Sequence, residues 1–242
     1  MKKTTFFAAL LFFAVVATVF AQEEDPFADY LYKIKLGVTA APNMMFFSSK
    51  SQFKRGRTPT VGYSAGVSFE NRFNEKTSLL INLNYQKTFF KGEQNNSYSQ
   101  IQIGTLSIEN GKTVLSLEYV SIPIVVRSYV DVNRELFLDT GLYLGSFLKA
   151  SESYESQGSH SYYLVTSYNQ AFANIDAGLA LGLGYNFEIS PVHNLAVAVR
   201  DHLGLLNIEH HGFGSSPTHA NVVMLQLNYT ANFHKIRMEK RK

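Results

Sequence analysis

Residues Asn174 to Phe187 alternate without a break. Asn174, Asp176, Gly178, Ala180, Gly182 and Gly184 fall on one side of an extended strand, and Ile175, Ala177, Leu179, Leu181, Leu183, Tyr185 and Phe187 on the other. One side is small or polar and the other is wholly apolar. A run of about 14 residues is roughly twice the usual length of a strand in a soluble domain, but it suits a tilted crossing of a bilayer, which needs about 9–11 residues. A helix would carry its glycines at about 1 kcal/mol each. The pattern therefore predicts a lipid-facing β-strand.

Seven further runs repeat it. Tyr32, Ile34, Leu36 and Val38 alternate with Lys33, Lys35, Gly37 and Thr39, and a loop follows from about Pro42 to Thr60. Val61 to Phe69 alternates with Gly62 to Glu70, and after the polar link at Asn74-Glu75-Lys76, Leu79, Ile81, Leu83 and Tyr85 face away from Ser78, Leu80, Asn82, Asn84 and Gln86. The fourth run, Thr113 to Tyr129, contains Pro123, whose missing N–H predicts a bulge or a change of face, with Val120, Ile122, Ile124 and Val126 outward and Arg127 inward. Leu136 to Leu144 alternates with Phe137 to Gly145. Beyond the opening run, Leu195 to Asp201 alternates with Ala196 to His202 and continues to Ile208. Val223, Leu225, Leu227, Tyr229 and Phe233 close the series.

The connections sort by length. Four loops of roughly 12–22 residues alternate with three links of roughly 4–7, the arrangement of an up-and-down outer-membrane barrel with short periplasmic turns and both termini in the periplasm. Aromatic residues gather at the same levels: Tyr32, Phe69, Phe73, Tyr129, Phe137, Tyr185, Phe187, Tyr229 and Phe233 at the periplasmic ends, and Tyr63, Tyr85, Phe89 and Phe90 at the outer ends. They are expected to form the girdles that sit at headgroup level. The fold class is thus all-β, an eight-stranded antiparallel transmembrane β-barrel.

Composition narrows the setting. Lys2 and Lys3 precede an apolar run from Phe6 to Phe20 and a small-residue exit at Ala21, which reads as a cleaved secretory signal peptide over 1–21. A periplasmic leader over 22–30, a barrel over 31–233 and a basic tail over 234–242 complete the organisation. With no cysteine, lipid attachment and disulfides are excluded. Charged residues are only 17%, well below the roughly 25% of soluble domains. The net charge of +3 comes largely from the tail and the signal peptide, so no nucleic-acid partner is implied.

Certain segments resemble a known family. Tyr119 to Pro123 (Y-x-x-I-P), Asp176 to Tyr185 (D-x-G-L-x-x-G-x-G-Y), Arg200 with Gly204-Leu205 and Asn207-Ile208, and Tyr229 with Phe233 are similar to the PorT-like, OmpX/OmpA-like outer-membrane β-barrels. The resemblance covers nearly the whole mature chain and implies an eight-stranded barrel without catalysis. Ser121 stands where an acidic residue is common in that family, and the chain runs on past the terminal aromatic with HKIRMEKRK.

An eight-stranded barrel is filled by its own side chains. Lys33, Lys35, Glu70, Arg72, Asn82, Asn84, Gln86, Arg127, Asp139, Asp176, Arg200 and His202 are expected inside, where buried charges must pair. His202, His210, His211 and His219 gather near the outer end, where a metal would want two or more imidazoles around a common point, but the Gly-rich loop that carries them does not pin such a site. Asp201 and His202 are neighbours on opposite faces, unsuited to act together as a catalytic pair. No catalytic, metal or cofactor residue is assigned. Binding is expected on the outer loops, about Ser48 to Pro59, Gly92 to Gly111, Ser151 to Gln170 and Glu209 to His219. The expected role is a structural or adhesive scaffold, with outer-membrane lipid, the barrel insertion machinery, other envelope proteins or an extracellular ligand as partners. Two alternatives remain: an accessory part of an envelope secretion or assembly machine, and a soluble periplasmic ligand-binding barrel with its apolar side turned inward.

Overall fold

A computed structural model describes residues 34–47, 57–74, 76–94, 111–131, 133–156, 163–167, 169–208 and 217–232. The strands are β1 (Ile34–Phe47), β2 (Arg57–Arg72), β3 (Thr77–Gln94), β4 (Gly111–Tyr129), β5 (Leu136–Ser156), β6 (Tyr163–Ser167), β7 (Ile175–Ser190), β8 (His193–Gly204) and β9 (Ala220–Ala231). All pairings are antiparallel. β6 pairs only with β5, while the β4–β5 ladder closes the other eight strands into a barrel in chain order. The proposed signal peptide, Tyr32, Lys33, Phe233, the basic tail, His210 and His211 lie outside the described residues.

The ladders fix the geometry of closure. A row of paired residues starts at Leu136 of β5 and runs through Tyr185, Val197, Leu227, Ala40, Ala65, Tyr85 and Val120. It returns to β5 at Ser146, ten residues further along the same strand. With about 3.3 Å per residue and about 4.8 Å between strands, that stagger over eight strands tilts them by about 40°. From Tyr185 to Ile175 the chain then climbs about 25 Å, the height of an outer-membrane barrel's apolar band.

Along that climb every outward residue is apolar. Leu179 is 37% exposed and Leu181 40%, while Ala180 between them is fully buried in the interior. Val38, Ile122, Ile124, Leu142, Val199, Leu225 and Leu227 are exposed in the same way on the other strands. So broad a continuous apolar exterior cannot face water. A soluble barrel with its apolar side inward is therefore excluded.

Several strands outrun the sequence pattern. β1 continues through Pro42 to Phe47, and β3 and β5 extend well past Gln86 and Gly145 into what reads in sequence as loop, while β4 starts at Gly111, two residues before Thr113. Polar residues can continue a strand once it clears the membrane, because only the lipid-facing part demands apolar side chains. The third outer loop carries its own hairpin, β5 with β6, followed by a short 3-10 turn at Asn169–Ala171. At the other end of β8 the strand stops at Gly204, and Ile208 packs instead into the core, its N–H bonded to the Thr218 carbonyl at 2.9 Å. β9 ends at Ala231.

Pro123 causes neither a bulge nor a change of face. Its missing donor opens a gap in the β3–β4 ladder between Ile81–Ile124 and Asn84–Ser121, and the register is the same on both sides. Pro42 leaves an equal gap toward β9. The register shift lies instead where Glu118 pairs with Lys149 and Tyr119 with Phe147, so that Leu148 is the extra residue. Leu148 and Lys149 are both exposed, and beyond them Ala150 and Glu152 turn inward.

Candidate functional site

The interior is layered. At its centre Asp139 of β5 receives Nε and Nη2 of Arg127 at 2.9 Å each and a third bond from Nη2 of Arg200. Register places them: Arg127 pairs with Asp139 across β4–β5, Asp139 with Gly182 across β5–β7, and Gly182 with Arg200 across β7–β8. Gly182 has no side chain to separate acid from guanidinium. All three charged groups are at most 2% exposed, so the bidentate geometry must offset a large desolvation cost. With its amide oxygen turned inward, Asn82 accepts from Arg200 Nη1 at 3.1 Å and from Gln226 Nε2 at 3.0 Å. Gln226 in turn donates to Thr39 Oγ1 at 2.6 Å, and Ser68 donates to Asn228 Oδ1 at 2.8 Å.

Below this layer Lys35 donates to Asn194 Oδ1 at 2.8 Å. The buried Glu70 carboxylate is near enough to Lys35, Arg127 and Arg72 to feel all three charges. Tyr129 and Phe137, expected in the periplasmic girdle, point inward and pack edge to face at 6.1 Å, with the Arg127 guanidinium 3.7 Å above the Phe137 ring. Residue parity explains it: Tyr129 is two residues from Arg127, and Phe137 two from Asp139. Gly184 makes space for the ring, since a Cβ there would also stand 2.6 Å from the Val197 carbonyl oxygen.

Asn84, Gln86, Asp176 and His202 line the upper interior, all buried. Tyr143 donates to Asp176 Oδ2 at 2.9 Å and stacks on the His202 ring at 4.7 Å. Above them lies an apolar cap that the sequence pattern does not reveal: Phe47, Phe90, Leu115, Leu117, Phe147, Phe172 and Ile208 form one buried cluster. Phe90, expected at the outer girdle, belongs to it and stacks on Phe47 at 4.7 Å. The cap comes from the strand extensions, whose inward positions keep the parity of the polar residues below. That parity, continued through MMFF and TFF, is the signal that would have found it.

Phe69, Tyr185, Phe187 and Tyr229 face outward at the periplasmic end. Tyr185 donates to Glu135, and Tyr229 OH lies 2.8 Å from His193 Nδ1. Tyr63, Tyr85 and Phe89 form the outer group, with ring centroids 6.4 Å apart in both pairs that Tyr63 makes. His219 Nδ1 is 3.0 Å from the Leu206 carbonyl oxygen, and among the described residues no three His, Cys, Asp or Glu side chains gather for a metal.

A closed barrel with an apolar belt, aromatic ends and a salt-bridged interior defines an integral outer-membrane protein. The model of the outer membrane protein beta-barrel domain family matches residues 20–209, and the chain belongs to that family. It is a bacterial outer-membrane protein. Among solved structures it is similar to Neisserial surface protein A, with 14% identity over 83% of this chain and 97% of that one, at a TM-score of 0.43. Outer membrane protein OprG from Pseudomonas aeruginosa gives 14% identity over 81% and 93%, at 0.42, and the attachment invasion locus protein Ail of Yersinia pestis 12% over 81% and 97%, at 0.36. No curated protein matches the chain.

Proposed function

We propose that this barrel is a non-catalytic scaffold that holds its outer loops clear of the membrane for an adhesive or structural contact. The observation that carries the reading is the asymmetry of its two ends. β3, β4 and β5 run on past the Tyr63, Tyr85 and Phe89 level and, with β6, make a wall of strands on one side, whereas β7 and β8 are joined by Pro191 and Val192 alone. A rigid support that carries long loops on one side only is suited to recognition there. The absence of a catalytic role is supported by Asp201 and His202, which lie on opposite faces of β8, one toward lipid and one in the interior. In this reading residues 1–21 are the export signal, both termini are periplasmic, and the insertion machinery reads the chain before lipid receives it. The PorT-like, OmpX/OmpA-like motifs support the same architecture.

The absence of native cysteines makes orientation testable. Ser167→Cys is expected to react with a membrane-impermeant maleimide on intact cells, and Asn133→Cys only after the outer membrane is permeabilised. The reverse pattern would overturn the orientation. Replacing residues 95–110 and 157–162 with short Gly-Ser turns should leave a barrel that still migrates as a folded species before boiling. Attachment of the cells to surfaces should be lost, and attachment unchanged by both replacements would defeat the adhesive reading.

A further inference from the structure

Asp201 is a carboxyl group on the lipid side of the barrel. It alternates with the buried Arg200 and His202, so it points outward, with Leu181 and Val223 as its paired neighbours and Val199 and Leu203 next to it along β8. Its Oδ1 is buried with no hydrogen-bond partner, and no ion pair among the described residues includes it. With strands tilted by about 40°, each residue climbs about 2.5 Å and each step along the paired row about 3 Å. Counted from Leu136, Tyr185 and Tyr229 stand about 3–4 Å up, Asp201 about 16 Å, and Tyr85 and Tyr63 about 19–21 Å. Asp201 is therefore inside the apolar belt, where an ionisable side chain is costly unless it meets a partner.

The apolar surface around it is also taller than the one across the barrel. On β3, opposite β8, the outward apolar run from Leu79 ends at Tyr85, and Lys87 and Glu118 form an ion pair at 2.9 Å, about 24–27 Å above Leu136. At that level the β7–β8 face carries Ile175 and Leu205, 62% and 59% exposed. A flat bilayer that ends at the ion pair leaves both in water. Tilting the barrel to submerge them would push Phe187 and Ile189, exposed at the lower end of β7, into the periplasm. The excess lies at both ends of one face, and an exposed apolar patch of that kind marks an interface.

We propose that the β7–β8 face is the surface by which two copies of this barrel pair in the membrane, with Asp201 of each copy meeting its own counterpart. A two-fold axis along the membrane normal sets every residue opposite its copy at equal depth. Each tall face then covers the other at both ends. In hydrocarbon a carboxyl is carried as the neutral acid, at once donor and acceptor, so two of them at one depth can bond each other twice. Acyl chains are as apolar as leucine, so packing alone gains little, and the pair separates on dilution into excess lipid. The contact does not depend on what the outer loops recognise.

The test uses the full-length barrel, which has no native cysteine, with one cysteine introduced at a time, in phospholipid vesicles at high protein density under copper phenanthroline. Val199→Cys, beside Asp201, is expected to give a disulfide-linked species of twice the monomer mass. Leu83→Cys, at similar depth on β3, should give only the background of random collisions. Adding Asp201→Leu to Val199→Cys should lower the dimer roughly 5- to 20-fold, the range for two hydrogen bonds between membrane segments. Asp201→Asn should retain most of it, because an amide also pairs with itself. The comparison of Val199 with Leu83 needs no change at Asp201 and decides the matter if the leucine variant fails to fold. No dimer from Val199→Cys, equal yields from the two cysteines, or a yield unchanged by Asp201→Leu would each overturn the pairing. So would a cross-link to a different protein in place of the dimer when the same oxidation is run on whole outer membranes.

Discussion

Asp139→Ala is expected to cost about 3–5 kcal/mol of folding stability, the range for removing one partner of a buried ion pair. The substitution deletes the carboxylate that Arg127 and Arg200 share and leaves two guanidinium groups buried, that of Arg127 against the Phe137 ring, with no acid between them. Glu70 compensates only in part, because Lys35 and Arg72 already draw on its charge. Equilibrium urea unfolding in phospholipid vesicles measures the loss. The triple variant Arg127→Met, Asp139→Leu, Arg200→Met should recover most of it, since an apolar set of similar volume has no desolvation cost to offset. A loss below about 1 kcal/mol for Asp139→Ala would mean that water reaches the layer and screens it.

How far the sequence reveals this layer depends on the residue. A period of two assigns each side chain a face, so Arg127, Asp139 and Arg200 can all be placed inside from their strands alone. Which acid meets which base cannot be read that way, because it depends on the ten-residue stagger, a property of all eight ladders together. Tyr129 and Phe137 show the opposite error. Their position near strand ends suggested a girdle, yet their parity with Arg127 and Asp139 set them inward, and parity prevails because a strand cannot turn one residue without a bulge. Strand ends were legible only as far as the lipid reaches. Beyond it the alternation lost its apolar half, so the extensions of β1, β3 and β5, the apolar cap and the β5–β6 hairpin did not stand out from loop. Pro123 misled for a local reason. A proline removes one donor on one side of its strand, and here the missing bond is a gap toward β3 while the ladder to β5 is intact, with Pro123 opposite Tyr143.

The second large effect concerns the outer surface. Leu181→Arg is expected to cost about 2–4 kcal/mol, whereas Leu136→Arg should cost about 0–1 kcal/mol, because a lipid-facing cation is penalised by its depth. Leu181 lies four residues above Tyr185 in β7, near the middle of the climb to Ile175, with Thr140 and Asp201 as its paired neighbours. Leu136 is the row partner of Tyr185, and an arginine there can extend its guanidinium to the headgroups and toward Glu135. The same vesicle unfolding experiment reads both. If the protein were a soluble barrel, each arginine would be an ordinary surface substitution and neither would move the midpoint by more than about 0.5 kcal/mol. A large difference between two outward leucines, ordered by their height above the periplasmic aromatic ring, is the signature of a surrounding hydrocarbon layer. Equal costs at the two positions would contradict the placement of the apolar belt between the rings of Tyr185 and Tyr63.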